Sequence, residues 1–307
     1  MDLLRHGAPM TGPRVSIVVR TKNRPDFLTR ALSSITSQVF DDWEAIIVND
    51  GGDAAKVAAL VAALPDPSHR DRVRVIDHPE SRGRWVSANA GVLAATGEFL
   101  VLHDDDDSWH RDFLARAVEY LDAHPERQGV VSRIEIVWER EEQGRFVVEE
   151  REEFQSQLTA PLLTDTLLFN RFVPIGFLYR RSLHAEIGLY DEKLPVVGDW
   201  DFNLKVLSRG ALEYLGDQPL AYWHQRRGAT GSAANSVAGA RSDHARYDAS
   251  IREEALRSWV EENGTGLVLY LTKFIDQRFV DVENGIREEI VASSFWRRVE
   301  RRLRRRR

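Results

Sequence analysis

The sequence predicts an α/β protein: a mostly parallel central sheet flanked by helices, with a small antiparallel extension and a C-terminal helical appendage. Three observations carry this. Strand-length apolar runs alternate with helix-period segments from Val15 to Leu121. Two later strand-like runs then flank Gln143-Gly144, as in a hairpin, and from about Ser242 the spacing stays helical. Strands alternating with helices form βαβ units, whose strands run parallel.

Val15–Val19 is a continuous apolar run, the pattern of a strand buried on both faces. After Arg20-Thr21-Lys22-Asn23-Arg24, Pro25-Asp26 signals a helix start, and Leu28, Ala31, Leu32 and Ile35 recur at helical spacing. Ala45–Val48 reads as the second strand. It ends in Asn49-Asp50-Gly51-Gly52, a tight turn before a helix over Ala54–Leu64. Val73–Ile76 is the third strand, Trp85–Ala95 a helix, and Glu98–Leu102 the fourth strand, which runs into Asp104-Asp105-Asp106-Asp107. Leu114, Ala117, Val118 and Leu121 mark the next helix.

Beyond this point the alternation breaks. Val130–Trp138 and Phe146–Glu150 pair as a hairpin, Leu162–Phe169 forms a short helix, and Pro174–Tyr179 a strand. Leu183–Ile187 and Gly198–Ser208 are helical, and Glu213–Leu215 and Leu220–Trp223 are two last strands. The expected domains are a tail over 1–13, a main domain over 14–225 with halves 14–110 and 111–225, a flexible loop over 226–241, and a helical region over 242–307.

The net charge of −6 is unevenly spread: Phe295–Arg307 carries eight Arg against one Glu, and the rest of the chain sums to −13. An acidic body argues against nucleic acid as a partner. Cysteine is absent, which excludes disulfides and thiolate chemistry and fits a cytoplasmic location. No apolar run approaches the roughly 20 residues of a membrane span, and Met1–Gly12 lacks a signal-peptide pattern. Trp296, Val299 and Leu303 share a helical face among the terminal arginines. That reads either as a basic amphipathic helix touching the inner face of a membrane or as a solvated terminus.

Four adjacent aspartates repel one another. The repulsion is offset where a hard divalent cation takes oxygen ligands, and the end of a buried strand is where open α/β sheets place ligands; the alternative is a solvated acidic turn. The loops Arg20–Pro25, Asn49–Gly52, Asp104–Asp107 and Gly198-Asp199-Trp200-Asp201, in that order between Val15 and His224, resemble the family 2 glycosyltransferases of the GT-A fold.

The resemblance implies a nucleotide-sugar donor above the sheet, Mn²⁺ or Mg²⁺ on its diphosphate, inversion at the anomeric carbon, and a glycan or glycolipid acceptor in bacterial surface polysaccharide or glycolipid synthesis. Arg20, Thr21, Lys22 and Asn23 then contact the nucleoside; the family usually reads Pro-Thr-Tyr-Asn, so Lys22 stands where a stacking ring is expected. Asp50 reads a base N–H, which favours a UDP- or dTDP-sugar, or else it fixes its own turn. Arg84 and Asn89 reach phosphate or ribose, with a solvated loop arginine as the alternative for Arg84.

Asp104 and Asp106 align with the outer residues of the DXD signature. Asp106 is the first choice as metal ligand, with Asp104 and Asp105 acting directly, through water, or on the ribose. Asp199 matches the general base, with Asp201 its rival and a helix-start carboxylate as the alternative. The family commonly has Glu-Asp where Gly198-Asp199 stands. Trp200 and Asp201 would contact the acceptor, although Trp200 could equally pack in the core. His224 is either a late metal ligand or structural, and Arg226 and Arg227 would clamp phosphate if their loop closes. Two other classes remain. A sugar-1-phosphate nucleotidylyltransferase wants a glycine-rich first loop, which Arg20–Pro25 lacks. A silent nucleotide- or carbohydrate-binding module needs neither Asp106 nor Asp199.

Overall fold

A computed structural model describes residues 12–142, 145–227 and 241–304, and the side chains of the last stretch over 243–290. The predicted turn at Gln143-Gly144, the loop at Gly228–Gly239, most of the N-terminal tail and the side chains of Trp296, Val299 and Leu303 lie outside these residues. The chain divides into two compact units, 1–248 and 249–307.

The first unit alternates as predicted. In order come β1 (Val15–Thr21), α1 (Pro25–Thr36), β2 (Trp43–Asp50), α2 (Ala54–Ala62), α3 (Pro67–Asp71), β3 (Val73–His78), α4 (Arg84–Ala94) and β4 (Phe99–Asp104). Then follow β5 (Ser108–Trp109), α5 (Phe113–Ala123), β6 (Gly129–Glu142), β7 (Arg145–Phe154) and α6 (Leu163–Thr166). After a 3-10 turn at Pro174–Gly176 come β8 (Phe177–Arg180), α7 (Leu183–Ile187), α8 (Gly198–Leu207) and β9 (Tyr214–Arg226). The second unit continues α9 (Arg241–Asn263) and contains α10 (Gly266–Arg304).

One sheet holds all the described strands, in the order β3-β2-β1-β4-β8-β6-β9-β5, with β7 added on β6. β3, β2, β1 and β4 are mutually parallel, and the antiparallel character enters at β8 and at the β6–β7 pair. β1 lies between β2 and β4, so Val18 sits beside both Ile46 and Leu102, all buried. Burial of both faces is why β1, β2 and β4 read as unbroken apolar runs.

Five elements differ from the sequence reading, the first being α3, a one-turn helix that it did not expect. The two expected last strands are one, β9, because it runs parallel to β6 from Tyr214 to Arg226, and register shifts around Arg133 absorb the polar stretch between. Pro174–Gly176 turns before β8 begins, since proline fixes φ at a turn-compatible value. Leu162–Phe169 shortens to Leu163–Thr166. β5 is too short for periodicity to detect, and its pairing with Tyr222 and Ala221 creates it.

Helix α4 lies against β1 at Gly91, where an added Cβ would stand 2.2 Å from Val18 Cγ1. Gly91→Ala should therefore destabilise the protein, by ~1–3 kcal/mol of overpacking, despite a gain of about 1 kcal/mol in helix propensity. Urea unfolding should show the loss and its partial recovery in Gly91→Ala with Val18→Ala. A more stable single variant would contradict this packing.

Candidate functional site

The parallel strands end together in charged residues, and the sheet register pairs them. Arg20 is the β1 neighbour of Asp104 on β4, and Asp50 on β2 neighbours His78 on β3. Above these ends lies a cavity of about 420 Å³, within the range of small-ligand sites. Its wall includes Arg20, Thr21, Lys22, Arg24, Asp50, Arg84, Asp104–Asp107 and Asp199.

The aspartate loop is neutralised from several elements. Arg20 Nε donates to Asp104 Oδ1 at 3.1 Å, and its Nη2 bonds the same oxygen. Thr21 Oγ1 donates to Asp105 Oδ2 at 2.8 Å, and Arg24 Nη1 pairs with Asp105 Oδ1 at 3.0 Å. Arg24 Nη2 donates to Asp106 Oδ2 at 2.6 Å, and Arg226 Nη2 bonds that oxygen too. Asp107 Oδ1 accepts the His224 backbone N–H at 3.0 Å. Phe27 supports this cluster, with the Arg24 and Arg226 guanidiniums each 4.4 Å from its ring centroid.

Protonation follows these contacts. Burial would raise Asp104, but the Arg20 guanidinium outweighs it and holds the carboxyl below the usual range. Burial and the neighbouring carboxylates push Asp107 well up, and burial with Asp106 raises Asp105 against the pull of Arg24. Four consecutive aspartates therefore do not amount to four free anions.

Asp50 is fully engaged. Its oxygens meet His78 Nδ1 at 3.1 Å and accept from Ser81 Oγ at 2.7 Å, Arg82 N at 2.7 Å and Gly83 N at 3.0 Å. Burial would raise its pKa, but these donors hold it well below the usual carboxylate range. Gly51 (φ +72°) permits the close approach, since a Cβ there would stand 2.3 Å from Ser81 N. The Asp50 carboxylate thus anchors the 81–83 loop that delivers Arg84 to the cavity. Among the described residues nothing pairs with the Arg84 guanidinium. Burial first, and Arg20 second, lower its pKa.

Asp199, on the wall of the same cavity, opens α8. Val197 before it takes a left-handed φ of +56°, a costly conformation for a β-branched residue. Gly198 is required there, because a Cβ would stand 2.6 Å from the Trp85 ring; this explains the glycine where the family commonly has Glu. Asn170 Nδ2 donates to Asp199 Oδ2 at 2.9 Å, and Asn203 Nδ2 holds Asn170 Oδ1 at 2.9 Å. That order fixes which end of the Asn170 amide faces Asp199. Burial raises the Asp199 pKa, opposed by the Trp200 backbone N–H and then by Arg84 and Arg20.

Several sequence expectations fall elsewhere. Asn89 is buried and clamps the 190–192 segment, bonding Tyr190 O at 2.9 Å, Tyr190 N at 3.0 Å and Glu192 Oε1 at 2.9 Å, away from the cavity wall. Asn23 accepts from Asp53 N at 2.9 Å, at the start of α2. Trp200 is buried and donates from Nε1 to Thr166 O at 2.6 Å, which is the packing alternative and not acceptor stacking. Asp201 pairs with Lys205 at 2.6 Å, and Arg227 with Glu150 at 2.8 Å. Arg226 contacts carboxylates, where phosphate was expected.

His224 is the clearest case. Its Nδ1 bonds Glu139 Oε1 at 2.7 Å and its Nε2 bonds Ser108 Oγ at 2.8 Å, so both ring nitrogens have partners within the fold, the structural alternative named above. Among the described residues no three of His, Cys, Asp and Glu converge as a metal cage.

The sequence reading missed Glu139, Arg30 and Asn170. Glu139 is buried and accepts from His224 and from Arg30 Nη1 at 3.1 Å, with Arg226 Nη1 at 3.6 Å. The only sequence signal was a glutamate inside an apolar strand run.

Fold and site together define a ligand-binding α/β protein whose acidic loop and remote carboxylate face one cavity. The glycosyl transferase family 2 profile matches residues 16–188. The chain belongs to this family. It is 36% identical over 196 residues to the glycosyltransferase YwdF of Bacillus subtilis, covering 62% of this chain and 67% of that protein. It is 32% identical over 203 residues to the succinoglycan biosynthesis protein ExoO of Rhizobium meliloti, covering 64% of this chain and 57% of ExoO. Among solved structures, S. aureus TarS 1–349 in complex with UDP-GlcNAc superposes with a TM-score of 0.54 at 21% identity, over 72% of this chain and 61% of that one. The mannosyltransferase PcManGT of Pyrobaculum calidifontis, in complex with GDP-Man and Mn²⁺, gives 0.50 at 19%, over 71% and 58%. At this identity the likeness shows the shared GT-A fold.

Removing the buried Glu139 charge should strand its partners. Glu139→Gln is expected to cost ~3–5 kcal/mol near pH 7, the usual penalty for breaking a buried pair. The Glu139 pKa is lowered: burial raises it, but the bonds from His224 and Arg30 prevail. Its contribution is therefore present above the unfolded-state value of about 4.3 and lost as pH falls through the folded value. The deficit of the variant, followed by urea melts, should shrink on acidification; a pH-independent deficit would point to packing alone.

Proposed function

We propose that the protein transfers a sugar from a nucleoside-diphosphate sugar, UDP- or dTDP-linked, to an acceptor hydroxyl with inversion, in surface polysaccharide or glycolipid synthesis. The observation that carries this reading is that Asp199 faces the same cavity as Arg84 and the Asp104–Asp106 loop, although α8 and β4 are far apart in sequence. A direct displacement needs a base and a leaving-group site that open on one cleft, and their sharing of this cavity supports the reading.

Arg84, unpaired among the described residues, and Lys22 would take the donor diphosphate, the guanidinium through its planar fork. Asp50 would read the base N–H; since its four donors already fill its acceptor sites, the base would replace the rotatable Ser81 hydroxyl. Asp106 with Asp104 suits a hard cation that completes its coordination with diphosphate oxygens and water, sharing Asp106 with Arg24 and Arg226. When bound, Mn²⁺ or Mg²⁺ supplies charge neutralisation for the departing diphosphate.

Asp199 would take the proton of the acceptor hydroxyl, with Asn170 fixing one carboxylate oxygen and leaving the other to face the hydroxyl. The basic end of the chain, residues 295–307, would rest on an anionic membrane where a lipid-borne acceptor is presented.

Two experiments test this. Thermal unfolding with Mn²⁺ and UDP, dTDP, GDP or CDP should show stabilisation by UDP or dTDP, about 2.7 kcal/mol at 100 times the dissociation constant. The shift should depend on the metal and be lost in Asp106→Asn; no shift with any nucleotide would overturn the donor site. In transfer assays Asp199→Asn should lose ~10²–10⁴ in kcat. Burial raises Asp199, with Arg84 and Arg20 opposing and Tyr190 also facing it. The acid limb of kcat should therefore lie above the ordinary aspartate range, and Asn170→Ala should move it higher. An unchanged limb in Asn170→Ala would remove Asn170 from the mechanism while leaving Asp199 in place.

A further inference from the structure

Helix α10 carries an apolar face that is exposed among the described residues. Leu271, Ile275, Phe279, Val282, Ile286 and Ile290 are each between 42% and 71% exposed. Among the described residues, α9 does not pack along α10. A helix of 39 residues with an apolar stripe over Leu271–Ile290, interrupted at its edge by Arg278 and Glu289, normally buries that stripe against something.

The spacing says what kind of surface that is. The three positions 271, 275 and 279 recur eleven residues on, at 282, 286 and 290. This eleven-residue repeat departs from the heptad that draws helices into a left-handed coiled coil. It keeps the apolar side chains along one side of a nearly straight helix, and Phe274 and Leu267 widen the face beyond a two-position seam. A broad, straight, aromatic-containing face suits a flat apolar boundary better than a narrow groove on a partner helix. The charge beyond it agrees: residues 297–307 of the same chain carry eight arginines and one glutamate. An apolar face continued by a polybasic segment supplies the two signals that stable attachment to an anionic bilayer requires. No helix of the described residues is long and apolar enough to cross a membrane, so the attachment would lie in the plane of the interface.

We propose that α10 lies on an anionic lipid surface, with its Leu271–Ile290 face set into the headgroup boundary and the arginine-rich end paired with lipid phosphates. This deepens the membrane contact proposed above and rests on it: the apolar face becomes the main attachment and the arginines select anionic lipid.

The test is co-sedimentation of the full chain with phosphatidylcholine vesicles, with and without phosphatidylglycerol, beside the variant Phe279→Asp with Ile286→Asp. Both residues are exposed and far from the donor cavity in sequence, so UDP-dependent thermal stabilisation should be unchanged in the variant and reports an intact first unit. The expected result is binding to the anionic vesicles that weakens at least tenfold in the double variant. Equal binding by both proteins would overturn the role of the α10 face and leave contact by the arginines alone. No binding to anionic vesicles by the unaltered chain would overturn both. Light scattering that shows a lipid-free dimer, broken by the double variant, together with absent vesicle binding, would assign the face to a second copy instead.

Discussion

Four consecutive carboxylates at the end of a buried strand are tolerable only if something nearby carries opposite charge, and the rest of the first unit is arranged around that need. The parallel register sets Arg20 beside Asp104. The start of α1 brings Arg24 to Asp105 and Asp106, and β9 returns to bring Arg226 to Asp106. Because these pairs are largely withdrawn from water, each partner depends on the others; a lone charge left there would cost far more than the pair contributes. Glu139 extends the same logic one layer outward, holding Arg30, Arg226 and His224 in place.

This neutralisation also shapes the chemistry available. Arg20 and Arg24 are spent on carboxylates, whereas Arg84, delivered by the loop that Asp50 anchors, faces the cavity without a partner among the described residues. Asp199 stands apart from the ion-pair cluster. Its contacts are an amide and backbone donors, which leave a carboxylate in a desolvated place where its affinity for a proton is raised. One cavity thus holds both an arginine free to meet an anion and a carboxylate able to accept a proton. That combination is what the inverting transfer proposed above calls for.

The second unit follows a different rule. Its helices expose apolar side chains among the described residues, and its net positive charge lies in the last eleven residues, the rest of the unit being acidic on balance. Burial in the first unit is achieved by its own sheet and helices. In α10 comparable apolar content is exposed among the described residues, which is why we assign it to an encounter with a surface.

Much of this was legible in the residues themselves. Unbroken apolar runs such as Val15–Val19 announce strands buried on both faces, because burial selects each side chain independently of its partners. Pro25-Asp26 announces a helix start for equally local reasons. The four loops in order were enough to indicate the family and the sides of the cleft. What the sequence could not contain was pairing. His224 reads as a candidate ligand from its place near the end of a strand, but its partners Glu139 and Ser108, 85 and 116 positions away, come only from the fold. Asn89 reads as a donor contact until Tyr190, 101 positions away, takes its amide. Trp200 reads as a stacking platform until it is seen donating into the core. A side chain's type is written locally, but its partner is chosen by chain crossings far apart in sequence. Local composition therefore determined the fold and the general place of the site, and tertiary structure alone decided which polar groups remain free to meet a ligand.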